Sequence, residues 1–333
     1  MKQKKTGLIR LDERLAEDEE LRELWERLPE QAQREWREID EGKRVPNLLS
    51  DTVFKKIFDP DENKERLSRF LCSVLGRQVK VLHSLKNEGI RRSIHSKGII
   101  LDIVAQFEDG ALANVEVQRQ GIDFPSQRSA VYSADLVARQ FAVMPGEKKG
   151  DMDYTDIQPV YTVILMEKST GVLKQSEEYI HHFCQRSNEG LVLEHLQYYD
   201  YICLDKFRDN CPRTAGELEK WLQFLSIQRP EEMEVFLEEN KGFQSIYDCA
   251  TMMLQDRKGM MEMFMDMLEQ EDIVASLNRT NESIIKKQKE EIRNWEKKSK
   301  RQESQLAQRE SQLRQQDQEI RRLREELRRS RGN

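Results

Sequence analysis

Hydrophobic and polar positions alternate most regularly over residues 101–118, LDIVAQFEDGALANVEVQ, and this period of two predicts two strands around a tight turn. Register decides which side chains face inward. A two-residue loop, Asp109-Gly110, sets Ile103 across from Glu116 and Leu101 across from Gln118, mixing apolar and polar side chains on both faces. A three-residue loop, Glu108-Asp109-Gly110, with Gly110 in the left-handed position, instead pairs Leu101 with Val117, Ile103 with Val115, Ala105 with Ala113 and Phe107 with Ala111. One face is then wholly apolar. The other sets Asp102 across from Glu116, flanked by Asn114 and Gln118.

The same reading extends along the chain. Leu8, Leu11, Leu15, Leu21, Leu24, Trp25, Leu28 and Trp36 recur at helical spacing, predicting one or two amphipathic helices with a break at Pro29. Ser50 or Asp51 caps a helix carrying Phe54, Ile57 and Phe58, and DPDEN separates it from a second helix that ends at Gly76. QVKVLHSL reads as a strand. After the hairpin, DFPSQRSAVYSADLVARQFAV is helical, with Pro125 suited to its first turn and Arg128, Tyr132 and Arg139 along one side. IQPVYTVILME, almost continuously apolar, has the pattern of a buried central strand, and a further strand falls within LEHLQYYDYICLD. Helices and strands in this order predict an α/β core with a mixed sheet flanked by helices.

From about Pro212 to Leu277 the pattern turns helical and polar, and seven of the twelve methionines lie between Met252 and Met267, where they fill a helical core or form an adaptable surface. Ile285, Ile292, Ser299, Leu306, Leu313, Ile320 and Leu327 then recur at intervals of seven. Their companion positions, Gln288, Trp295, Gln302, Arg309, Gln316 and Leu323, are mostly polar. Half a coiled-coil seam is missing, so a long helix is expected, either solvated or paired with a second copy. The expected organisation is an N-terminal helical segment (1–45), an α/β domain (46–210), a helical region (211–280) and a heptad-patterned basic helix (281–333).

Charge changes the picture in one respect. The net charge of -6 divides into +7 for residues 286–333, with 16 Lys or Arg against 9 Asp or Glu, and -13 for the rest. An acidic body does not favour wholesale, sequence-independent clamping of DNA, so any nucleic-acid contact is expected from local patches or the tail. No run of about 18 apolar residues exists for a membrane span, and acids rather than an apolar signal core follow the first residues, which fits a cytoplasmic protein. Five cysteines, at 72, 184, 203, 211 and 249, show no CxxC spacing and are expected to be reduced thiols. His181, His182 and Cys184 lack the second ligand pair that a zinc site needs.

The hairpin carries the chemistry. Carboxylates directly opposed on a half-buried sheet repel, with Cβ atoms roughly 5 Å apart. A hard divalent metal between them relieves this, and so does a structural network with nearby Arg or Lys. An Asp followed fourteen residues later by Glu-x-Gln on the next strand, between two helices, resembles the core of PD-(D/E)XK nucleases. With SDTVFKKIF, QRSAVYSADL and IQPVYTVIL, the hairpin looks like the Rpn family of recombination-promoting nucleases, also grouped as transposases, over about residues 48–170.

The resemblance implies a restriction-endonuclease-like fold and a magnesium-dependent endonuclease acting on DNA in recombination or mobile elements. It implies that Asp102 and Glu116 are metal ligands, that Gln118 stands where the superfamily more often has Lys, and that Asp51 is an additional acid. A neutral amide at 118 orients water by hydrogen bonds without supplying positive charge. Lys55, Arg128 and Tyr132 are candidate DNA contacts, as is the basic loop holding Lys86, Arg91, Arg92, His95 and Lys97. The heptad helix is the candidate homo-oligomer contact. The alternative is a nuclease fold that turns over slowly or not at all and serves as a DNA- or protein-binding module.

Overall fold

The computed structural model describes residues 11–59, 61–85, 102–119, 126–140, 153–192, 196–210 and 216–330. Two units are distinguished, one reaching Asp272 and the other beginning at Ile273.

The first unit is built on a six-stranded mixed sheet of order β1-β2-β3-β4-β6-β5. Its strands are β1 (Val81–Ser84), β2 (Ile103–Phe107), β3 (Leu112–Gln118), β4 (Val160–Met166), β5 (Ile180–Phe183) and β6 (Gln197–Cys203). Strands β3, β4 and β6 are parallel; β1, β2 and β5 pair antiparallel with their neighbours. The hairpin takes the three-residue loop. Ile103 pairs with Val115 and Ala105 with Ala113, Phe107 N–H donates to the Ala111 carbonyl at 2.8 Å, and Gly110 has φ +86°, a conformation costly for any residue with a Cβ. Leu101 lies outside the described residues.

Alternation then separates two layers. Ile103, Ala105, Phe107, Ala113, Val115, Val163, Leu165 and Ile202 face the main core. Against them pack α4 (Asp51–Ile57), α5 (Lys64–Leu75) and the later helices α7 (Leu204–Asp209), α8 (Glu217–Ser226), α9 (Pro230–Glu239) and α10 (Gln244–Met252). Trp221 of α8 is fully buried at the centre, its ring 4.7 Å from Phe243 and 5.4 Å from Phe58. Helix α5 stops at Gly76, whose φ of +62° closes the last turn. The N-terminal segment forms three helices, α1 (Leu11–Glu17), α2 (Glu19–Arg27) and α3 (Glu30–Asp40). Asp18 divides the first two by accepting from the Leu21 N–H, and Pro29 precedes the third. Trp25, tilted, and Trp36, edge-on, both pack against Phe264 of α11 (Arg257–Ser330), so these helices and the start of α11 share the core of the sheet.

The opposite face is covered by α6 (Ser126–Gln140). Val104, Leu112 and Val160 of the sheet meet Tyr132 and Leu136 of the helix. Gln140 fixes the helix end by a reciprocal amide pair with the backbone of Gln158, at 3.0 and 2.8 Å. Strand β5 has no counterpart among the expected strands, because a four-residue edge strand containing two histidines carries little hydrophobic signal.

In the second unit α11 continues to Ser330. Ile285, Ile292, Leu306, Leu313 and Ile320, five of the seven heptad positions, are all exposed. No helix among the described residues is long and apolar enough to cross a membrane.

Candidate functional site

The polar residues of the hairpin fall on the α6 face, at the end of the sheet where α4 begins. Asp102 and Glu116 interlock across the strands. The Asp102 N–H donates to Glu116 Oε1 at 3.1 Å, and the Val117 N–H donates to Asp102 Oδ2 at 2.9 Å. Each carboxylate is therefore fixed by the other's strand, which sets its direction without neutralising it. Glu116 and Gln118 are buried, whereas Asp102 is partly exposed.

Burial dominates the electrostatics. Desolvation pushes the Asp102 carboxyl above its ordinary range, opposed by the Val117 N–H and reinforced by the charge of Asp51. Glu116 is pushed up to about 8, by burial first and then by the Asp102 charge. Two cations offset this in part. Lys55 Nζ, on α4, lies 2.8 Å from Asp51 and 4.0 Å from Asp102 Oδ1. Arg128, on α6, favours ionisation of both acids. Beside Glu116 the fully buried Asn114 turns its amide toward that carboxyl and favours its charged form, while the buried hydroxyl of Thr162, its partner in the parallel ladder, makes no well-formed hydrogen bond.

Among the described residues no group of three or more His, Cys, Asp or Glu is spaced to hold a metal ion. Asp51 binds Lys55 instead of closing such a group. The pair Asp102 and Glu116 still fits a hard divalent cation in donor chemistry. Two desolvated carboxylates are held side by side, their directions fixed by backbone N–H groups.

The remaining expected residues divide. Lys55 and Arg128 stand at the acid pair. Tyr132 of α6 is buried against the sheet and its hydroxyl accepts from Arg128 Nε at 2.5 Å, so it orients that guanidinium from within the core. Gln118 donates from Nε2 to the Arg119 carbonyl at 3.3 Å. Arg91, Arg92 and Lys97, with Lys86 and His95, lie outside the described residues.

Two residues escaped the sequence reading. Arg119, just after Gln118, pairs with Asp266 of α11 at 3.6 Å, and burial pushes Asp266 up to about 6. Asp266 flanks the apolar stripe of Met260, Met263, Phe264 and Met267, where an acid carries no distinctive sequence signal. His182 of β5 is bonded to the buried Asp200 of β6, which gives that histidine a structural partner.

A family model described as PD-(D/E)XK nuclease family transposase matches residues 48–280, more than two thirds of the chain. The match spans the sheet, α6 and the helical region that contributes Asp266. No curated protein and no solved structure matches the chain.

Proposed function

The chain belongs to the PD-(D/E)XK nuclease transposase family, and from that premise we propose that it is a magnesium-dependent endodeoxyribonuclease serving DNA recombination or mobile elements. The observation that carries the reading is the interlocked pair of Asp102 and Glu116: two desolvated carboxylates that repel one another and are fixed in direction by backbone N–H groups. Such a pair is costly as a purely structural element and suited to a divalent cation.

Asp102 and Glu116 would hold the metal, which when bound lowers the pKa of water and neutralises charge on a phosphate. Gln118 orients the attacking water by hydrogen bonding. Lys55 supplies next to the acids the positive charge that a neutral residue at 118 does not, and Asp51 holds the Lys55 ammonium there. Arg128, braced by Tyr132, offers a second cation to a phosphate oxygen. The segment with Arg91, Arg92 and Lys97 adds further phosphate contacts, and the basic helix beyond residue 281 pairs with a second copy through its exposed heptad positions, so that two sites reach both strands.

A closed circle of DNA tests the class of reaction, since it is opened only from within. Incubated with the purified chain, it is expected to be opened in magnesium and to stay closed in chelator. One observation favours the binding-module alternative: the neutral Gln118 is buried and turned to a backbone carbonyl. Tight DNA binding with an intact circle in magnesium is what that alternative requires.

A further inference from the structure

We propose that an aromatic cleft next to the acid pair holds one unstacked nucleobase of the DNA strand being cut, a claim that rests on the nuclease reading above. The cleft, of about 840 Å³, lies against α6 and the outer strands of the sheet; Phe183, Tyr199, Tyr201, Met166, Lys174 and Gln127 are among the residues that line it. It has ample room for a base with its sugar.

Register ties the cleft to the acids. Gln118 is the ladder partner of Met166, and Glu116, Ile164 and Tyr201 form one row across β3, β4 and β6 on the same face. At about 4.8 Å per strand, Tyr201 stands roughly 10 Å from Glu116 across the sheet. That distance places the cleft within reach of a nucleotide adjoining a phosphate held at the acids. Helix α6 serves both places: Arg128 faces the acids, while Ser126, Gln127 and Ala130 line the cleft.

The walls are fixed, and one is left open to solvent. Tyr201 is buried and its hydroxyl is bonded to Ser129 at 2.6 Å, which sets the plane of the ring. Phe183 stands edge-on to it with centroids 5.6 Å apart, yet is 46% exposed. A phenylalanine on an edge strand, held against a rigid tyrosine and left half bare, is a stacking platform in want of a flat partner. A base supplies a π-face, its edges meet the polar atoms of Gln127, Ser126 and Thr170, and Lys174 complements the strand's charge. Taking the base out of the stack bends the backbone at the phosphate beside it, which presents that phosphate to the acids.

The test uses the full chain in chelator, so that no strand is cut, and reads equilibrium binding of fluorescent single-stranded oligonucleotides in which an abasic nucleotide is stepped through each position. For the wild type, one position is expected to lose about 5- to 100-fold in affinity when its base is removed. Phe183→Ala should lose the same factor on the intact strand and nothing more on that abasic strand, while Phe183→Trp keeps wild-type affinity. Unchanged binding by Phe183→Ala, or an equal loss on intact and abasic strands, overturns the proposal. Wild-type chain that opens circular DNA in magnesium but shows either of those results loses the base pocket and keeps the nuclease. Wild-type chain that neither binds nor cuts DNA loses both.

Discussion

Replacing Glu116 by Gln removes a buried charge without removing the shape or the acceptor that the Asp102 N–H requires. Burial and the Asp102 charge push the Glu116 carboxyl up to about 8 in the folded chain, against an ordinary value of 4.5. Between those values the folded chain holds a proton that the unfolded chain has released, so the contribution of this group to stability is full below pH 4.5 and is lost as pH rises toward 8. At about 1.4 kcal/mol per pH unit the ceiling on that loss is about 5 kcal/mol. Relaxation and water entry around a buried carboxylate reduce it, and an observable gain of about 1–3 kcal/mol for E116Q at pH 8 is the expectation. In a unit of this size that corresponds to roughly 2–6 °C in Tm. Thermal melts in chelator should show near-equal Tm values for wild type and E116Q at pH 5, and a more stable E116Q at pH 8. Magnesium at pH 8 should raise the wild-type Tm and leave E116Q nearly where it was. A difference between the two proteins that does not change with pH, or an E116Q that is the less stable at pH 8, would refute the reasoning.

Gly110→Ala forces a Cβ into a φ of +86° and to 3.0 Å from Gln158 Cγ, and should cost about 1–3 kcal/mol in chemical denaturation; no loss would mean that the turn is not the bulged one described. Trp221→Ala empties the aromatic centre formed with Phe58, Phe70 and Phe243 and should cost about 3–5 kcal/mol. Trp221→Phe should cost much less, because the indole N–H it removes is buried and unbonded. Deleting residues 281–333 is expected to lower the particle mass in light scattering from an oligomer to a monomer while leaving the melting of the first unit in place; an unchanged subunit count would remove the heptad helix from assembly.

The hairpin was readable because register has only two states there, and one of them mixes polar with apolar residues on both faces. Its loop, its pairing and the opposition of Asp102 to Glu116 all follow from that choice. Strand β4 was readable for a different reason, a continuous β-branched run buried on both sides. Asp266 was not, because it comes from a helix more than 140 residues beyond the hairpin and no local pattern says which strand that helix covers. The burial of Tyr132 and the cleft beside Tyr201 were hidden likewise, since both depend on how α6 crosses the sheet. The half-empty heptad pattern left the tail with two readings, and the exposed Ile and Leu positions of α11 are compatible with each.

The most direct measurement is strand opening of supercoiled plasmid by wild type, Asp102→Ala and Glu116→Ala side by side in magnesium, with circular dichroism to establish that all three are folded. Opening by the wild type, reduced at least about 100-fold in each variant, is the predicted result. Equal opening by all three folded proteins would contradict the assignment of the acid pair as the place where DNA is cut.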